Sequence, residues 1–287
     1  MGTVEFPLVV GVDGSDVGYA ALDWAVDYAA RHGLRLRLVY GSLWERYEGA
    51  VPSGLARPSG QVMAENVVAV AAERAGRRNP EASITTEVVA EDPVQALLEC
   101  GREAAAVVTG SRGRGEIEGL LLGSVGLAVA ARATCPVIVV RGDQAGLAGS
   151  HQRILLGVGG TETGDEAVRF AFREAEARGC ALDAVRTWCR PAGERSDGPA
   201  ATNEERAAAV LDGVLHEAEA AHAAVKVQHT TVEGPARSVL LQRSAAADLA
   251  VIGARRRRER FGLQLSRVAH TLLHHADCPV AVVPHVT

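Results

Sequence analysis

A chain of 287 residues has room for one large domain or two of ordinary size, and with 47% hydrophobic but only 4% aromatic residues its core is built chiefly from Ala and Val. That bias suits parallel sheets buried on both faces and wrapped by Ala-rich helices. A formal net charge of −5 argues against a general nucleic-acid binder, and no apolar run is long enough for a membrane span.

The opening stretch, MGTVEFPLVVGVDGS, lacks the basic region and cleavage site of a signal peptide. A first strand is predicted over 8–13, followed by Asp-Gly-Ser as a helix N-cap, a helix over 16–31 and Gly33 as its left-handed stop. Further strands are predicted over 34–40, 84–89, 105–109 and 136–140, alternating with helices over 61–78, 93–103 and 124–132. The stretch from Leu43 to Gln61 reads as a connector. The five cysteines (Cys100, Cys135, Cys180, Cys189, Cys278) are an odd set without a CxxC pair, so reduced thiols and a cytoplasmic location are expected. The nine histidines show no ligand spacing.

From residue 155 onward the sequence repeats itself. VVGVDGS (9–15) returns as LLGVGGT (155–161), ALDWAVDYAARHGLRLRLV as AVRFAFREAEARGCALDAV, AAAVVTGSRGRG as ADLAVIGARRRR, and ATCPVIVV as ADCPVAVV. Order and spacing are kept, which marks a whole-domain duplication. RGDQAGLAGSHQ between the copies reads as a linker, giving domains at 1–142 and 151–287. Strand–helix alternation implies right-handed βαβ crossovers. The expected fold is therefore α/β: two tandem doubly wound domains, each a five-stranded, mainly parallel sheet of order 3-2-1-4-5 with helices on both faces.

After its fourth strand the first copy reads GSRGRGEIEGLLLGSVG, placing Gly110, Gly113 and Gly123-Ser124 in the pattern G-x2-G-x9-G-S. Glycines without a Cβ let main-chain N–H groups approach phosphate and adopt positive φ, and a helix start adds free N–H groups and a favourable dipole. Ser124 can add a hydroxyl, and Arg112 or Arg114 charge. The loop is neither a Walker loop, for want of Gly-Lys-Ser/Thr, nor a dinucleotide fingerprint, which should follow the first strand. In open α/β sheets ligands sit beyond the carboxyl ends of the strands where strand order reverses, so Asp13 and the Gly110 loop should face one crevice. A carboxylate there can meet ribose hydroxyls or hold a metal ion on phosphates; it can also simply cap the first helix.

At these residues the chain resembles the universal stress proteins, in the tandem-domain form found in actinobacteria. The resemblance rests on VVGVDGS, ALDWA, the glycine motif, and CPVIVV and CPVAVV, and it covers nearly the whole chain in two units. It implies ATP in the crevice, with Gly11, Val12 and Asp13 in the first turn and Val39 beside the adenine. It places Gly110, Ser111, Arg112, Gly113 and Arg114, with Gly123, Ser124 and Val125, on the phosphates. Mg would enter with ATP, through Asp13. The implied role is regulatory, in stress response or growth arrest, with little or no turnover; a slow ATPase or a nucleotide-free scaffold are the alternatives. The apolar last strands invite edge pairing, and a homodimer is expected. Neither a membrane nor a nucleic-acid partner is expected.

The second copy departs from the motif. Asp13 becomes Gly159, Gly113 becomes Arg256, Gly123 becomes Ser266 and Ser124 becomes Arg267, while Gly110 survives as Gly253. It is not expected to bind ATP in the family manner. Arg255–Arg258 with Arg260 reads as a solvated loop, as a site for another anion or an acidic partner surface, or, least of all because no aromatic residues interleave the run, as a nucleic-acid contact.

Overall fold

The computed structural model describes residues 6–43, 59–112, 122–159, 165–189, 200–254 and 265–285. The chain divides into two units, Met1–Val140 and Arg141–Thr287. No described helix is long and apolar enough to cross a membrane.

In the first unit β1 (Leu8–Gly11), α1 (Asp16–His32), β2 (Leu36–Gly41), α2 (Ser59–Arg78), β3 (Ile84–Val89), α3 (Pro93–Cys100), β4 (Ala106–Gly110), α4 (Ser124–Arg132) and β5 (Val137–Val140) follow in order. Pairing is parallel throughout the unit, in the order β3-β2-β1-β4-β5. Local chemistry sets the boundaries. Ser15 caps α1 through its hydroxyl, and Gly33 stops it at φ 66°. Asp92 caps α3 on Val94 N and Gln95 N, with Pro93 in the first turn. The third helix is shorter than expected: beyond Cys100 the chain tightens into a 3₁₀ turn, Gly101–Glu103. β1 likewise stops at Gly11 rather than Asp13, because the Asp13 carboxylate bends the chain into a turn by accepting from Ser15 N.

The centre of the sheet (Leu8, Val9, Val10, Val107, Val108, Ile138) is fully buried. Each such Leu or Ile contributes roughly 1.5–3 kcal/mol. The forks Arg74–Asp23 (2.8 and 2.6 Å) and Arg78–Asp27 (2.7 and 2.6 Å) join α2 to α1, but their part-exposed charges add at most about 1 kcal/mol each. Apolar burial holds the unit, and the ion pairs set helix register.

The second unit begins where a linker was expected. Residues 141–152 contain a short helix, α5 (Gln144–Ala148), capped by Asp143 on Gly146 N and stopped by Gly149 at φ 70°. Asp143 N donates to Asp277 O at 3.0 Å. Gly142, at φ 102°, runs so close to the Asp277 carbonyl that a Cβ would collide with it. The segment is therefore folded onto its own unit. β6 (Arg153–Gly157), α6 (Asp165–Arg178), β7 (Ala181–Trp188), α7 (Ala200–Ala221), β8 (Val227–Glu233), α8 (Ala236–Ser244), β9 (Leu249–Ala254), α9 (Arg267–His275) and β10 (Val280–Pro284) then repeat the first unit. The parallel order β8-β7-β6-β9-β10 is again 3-2-1-4-5.

Among the cysteines, Cys100, Cys135, Cys180 and Cys278 are buried thiols and Cys189 is an exposed one. Burial pushes the Cys278 thiol up to about 12, far from the thiolate range in which cysteine reacts.

Candidate functional site

β1 ends with Gly11 paired to Val39, and Val12 N donates to Val39 O at 3.0 Å. The side chains of Val12 and Val39 are in the core, so beside the crevice these residues present backbone. The chain then turns through Gly14, at φ 76°. Asp13 Oδ1 accepts from Ser15 N (3.0 Å) and Ser15 Oγ (2.7 Å), while Ser15 Oγ accepts from Gly18 N (3.0 Å). A Cβ on Gly18 would lie 2.5 Å from Asp13 Oδ1, so the carboxylate rests directly on the first turn of α1. Asp13 is thus part of the cap of α1, as one of its two expected roles required.

β4 ends at Gly110, whose partner is Val140. Ser111 N donates to Val140 O (3.0 Å), and Ser111 O accepts from Gly123 N (2.7 Å), which clasps the two ends of the glycine loop together. A Cβ on Gly110 would lie 3.1 Å from Val17 O and 3.2 Å from Arg112 O. Glycine is needed there so that the end of β4 can abut the first turn of α1. The Asp13 turn and the Gly110 loop accordingly meet over the carboxyl ends of β1 and β4. Arg112 and Ser124 are exposed, and Val125 is half-buried. Gly113 and Arg114 lie outside the described residues.

The glycines differ from expectation in one respect. Gly123 has φ −73°, and Gly110 is not among the positive-φ residues. Neither is held by left-handed backbone: the missing Cβ serves close approach at Gly110, while at Gly123 a Cβ would meet only ordinary contacts. Gly123 opens α4 in extended backbone and supplies no side-chain cap to its first turn. N–H groups at such a helix start are anion-seeking.

Residue-by-residue reading of the motif missed two groups. Gly18, on which Asp13 rests, looks like an ordinary helix residue in sequence. Thr109, next to Gly110, is buried, and its Oγ1 has no partner beneath the Gly126 turn of α4. The signal was available in the repeat, where its counterpart is Ile252.

The same region of the second unit is built differently. Val158 N donates to Val185 O (2.9 Å), matching Val12 and Val39. At the position of Asp13, however, stands Gly159, whose carbonyl accepts from Arg186 Nη1. Ser266 caps α9, its Oγ accepting from Ala269 N at 3.1 Å. The first turn of α9 is therefore capped by its own N-cap side chain, whereas Gly123 offers α4 no side-chain cap. Arg256 and the rest of the arginine run lie outside the described residues. Among the described residues no group of three or more His, Cys, Asp or Glu side chains could hold a metal ion.

Two α/β repeats of strand order 3-2-1-4-5 define a class of tandem, doubly wound α/β domains. The family model of the universal stress protein family matches residues 7–141 and 150–284. A universal stress protein of Mycobacterium tuberculosis is 33% identical over 285 residues, 96% of either chain. Another, of Mycolicibacterium smegmatis, is 29% identical over 294 residues, 97% of either chain. The crystal structure of a universal stress protein from Archaeoglobus fulgidus superimposes with a TM-score of 0.71 over 98% of this chain and 99% of that one, at 18% identity. A universal stress protein solved in complex with cAMP is 30% identical over 48% of this chain and 98% of its own, with a TM-score of 0.37. This chain belongs to the universal stress protein family, in its tandem form.

Proposed function

We propose that the first unit holds one ATP, with or without Mg, and that the bound nucleotide sets a surface read by a partner in stress response or growth arrest. One observation carries this reading: the helix behind the glycine motif starts uncapped at Gly123, whereas its copy is capped by Ser266. A helix start without a side-chain cap in one repeat and with one in the other favours an anion in the first. Gly110 to Arg112 and Gly123 to Val125 would hold the phosphates, the backbone at Gly11 to Asp13 and Val39 would border the nucleoside, and Asp13 would meet the ribose or a Mg ion on the phosphates. The protein acts by binding, without turnover, in the cytoplasm and as a homodimer.

The test is to denature the purified protein, identify released nucleotide and follow added ATP over hours. Release of intact ATP, close to one per chain, supports the reading. An empty protein that also fails to bind added ATP refutes it. Steady hydrolysis abolished by Asp13→Ala would replace it with a slow ATPase.

A further inference from the structure

The second unit kept the fold of the crevice and changed its polarity. Gly11 pairs with Val39 and Gly157 with Val185, so Arg186 stands where the first unit has Tyr40, and Trp188 where it has Ser42. Opposite them Asp13 has become Gly159. A carboxylate acceptor has been removed, and two hydroxyls that could donate or accept have given way to two groups that only donate.

Both donors are incompletely used. Arg186 Nη1 donates to Gly159 O, which fixes the guanidinium at the end of β6, but Arg186 Nε is buried without a partner. Trp188 Nε1 is also buried without a partner. Residues two apart on a strand project from the same face, so both side chains stand on one face at the carboxyl end of β7. Glu204, carried by α7 towards this part of the sheet, is bonded to the Thr231 hydroxyl at 3.3 Å, and no described carboxylate pairs with Arg186. A buried donor is costly to leave unpaired, and native structures seldom keep two together without an acceptor. In this fold the carboxyl ends of the strands are where ligands sit.

We infer that the second crevice is a binding site for a small oxyanion, a phosphate or a carboxylate, held by Arg186 Nε and Trp188 Nε1. Guanidinium presents a planar fork that matches two oxygens of either group, and the indole N–H adds a third donor that tolerates only an acceptor. The site does not depend on the ATP reading, since none of its residues belongs to the first unit.

The experiment is a nitrogen–proton correlation spectrum of the intact chain, whose three tryptophans are Trp24, Trp44 and Trp188. Trp188→Phe identifies the Trp188 indole signal. Inorganic phosphate and then acetate are titrated at ionic strength held constant with chloride. The expected result is a saturable shift of that signal with phosphate or acetate, and which of them acts names the ligand class. Arg186→Gln should weaken the apparent affinity by about tenfold or more, as expected for a lost charge-assisted fork. Arg186→Lys, which keeps the charge but not the fork, should fall between and serves as the second variant if Arg186→Gln does not fold. A signal unmoved by either probe, a shift reproduced by chloride alone, or an affinity unchanged in the folded arginine variants overturns the proposal. An empty first crevice changes none of these outcomes, so failure of the ATP reading is seen separately.

Discussion

At the scale of single residues, Gly18 shows how context reverses a general rule. Gly→Ala inside a helix ordinarily stabilises by roughly 0.5–1 kcal/mol. At Gly18 the new Cβ would sit 2.5 Å from Asp13 Oδ1 and force the carboxylate off Ser15, at a cost of about 1 kcal/mol for each hydrogen bond lost. Gly18→Ala should therefore lower stability by about 1–1.5 kcal/mol, seen as an earlier denaturation midpoint, while nucleotide affinity, measured by calorimetry, falls at least several-fold. An increase in stability with unaltered binding would mean that the position of Asp13 does not matter to the ligand. The sequence marked Asp13 as important but left its role open between cap and ligand. The structure shows the cap.

At the scale of elements, the helix behind the glycine loop offers an exchange between stability and binding. Gly123→Ser would give α4 the hydroxyl cap that Ser266 gives α9. Replacing Gly by Ser at an N-cap is worth a few tenths of a kcal/mol, so thermal stability should rise slightly. The same hydroxyl would compete with phosphate for the first-turn N–H groups, so ATP affinity should fall. Parallel loss of both would argue that α4 does not carry the anion. A second element-scale prediction concerns β8 and α7. His229 bonds through Nδ1 to Asp212 (2.6 Å) and through Nε2 to Glu219 (2.5 Å). Burial opposes charge on this ring, but the bonds to Glu219 and Asp212 and the charges they bring outweigh it and raise the pKa above 6.5. A raised folded-state pKa stabilises fully below the unfolded value, near 6.5, and the gain disappears as pH climbs through the folded value. The stability gap between the protein and His229→Gln should be widest at pH 6 and below and close on the alkaline side. A gap that widened with pH would show that His229 is bound neutral.

At the scale of the whole molecule, the unit boundary falls between Val140 and Arg141, so the stretch read as a linker belongs to the second unit. Arg141 donates to the carbonyls of Leu272 and Leu273 at the end of α9, and Asp143 N holds Asp277 O. A fragment of residues 151–287 lacks these bonds and α5. At about 1 kcal/mol per bond it should be less stable than a fragment of residues 141–287 by about 2–4 kcal/mol, as read by urea denaturation. Equal midpoints would return the segment to the status of a connector. The linker reading failed because Gly142, Gly146 and Gly149 look flexible in sequence. Gly142 and Gly146 instead pack tightly against residues 277–278, and Gly149 ends a helix, none of which composition can reveal.

The sequence alone determined the duplication, the strand order of each unit and the family, because these follow from apolar periodicity, caps and repeated motifs that act within a few residues of one another. It also located the crevice, since a glycine loop after the fourth strand and an acid after the first must meet once that order is adopted. Tertiary structure decided what those residues do. Whether Gly110 needs positive φ or close approach depends on its distance from Val17, far away in the chain, while the cap at Asp13 and the starts of the two helices turn on backbone conformation that the sequence pattern does not spell out. The same holds for the second crevice: Arg186 and Trp188 carry no motif, and only their burial without partners gives them a meaning.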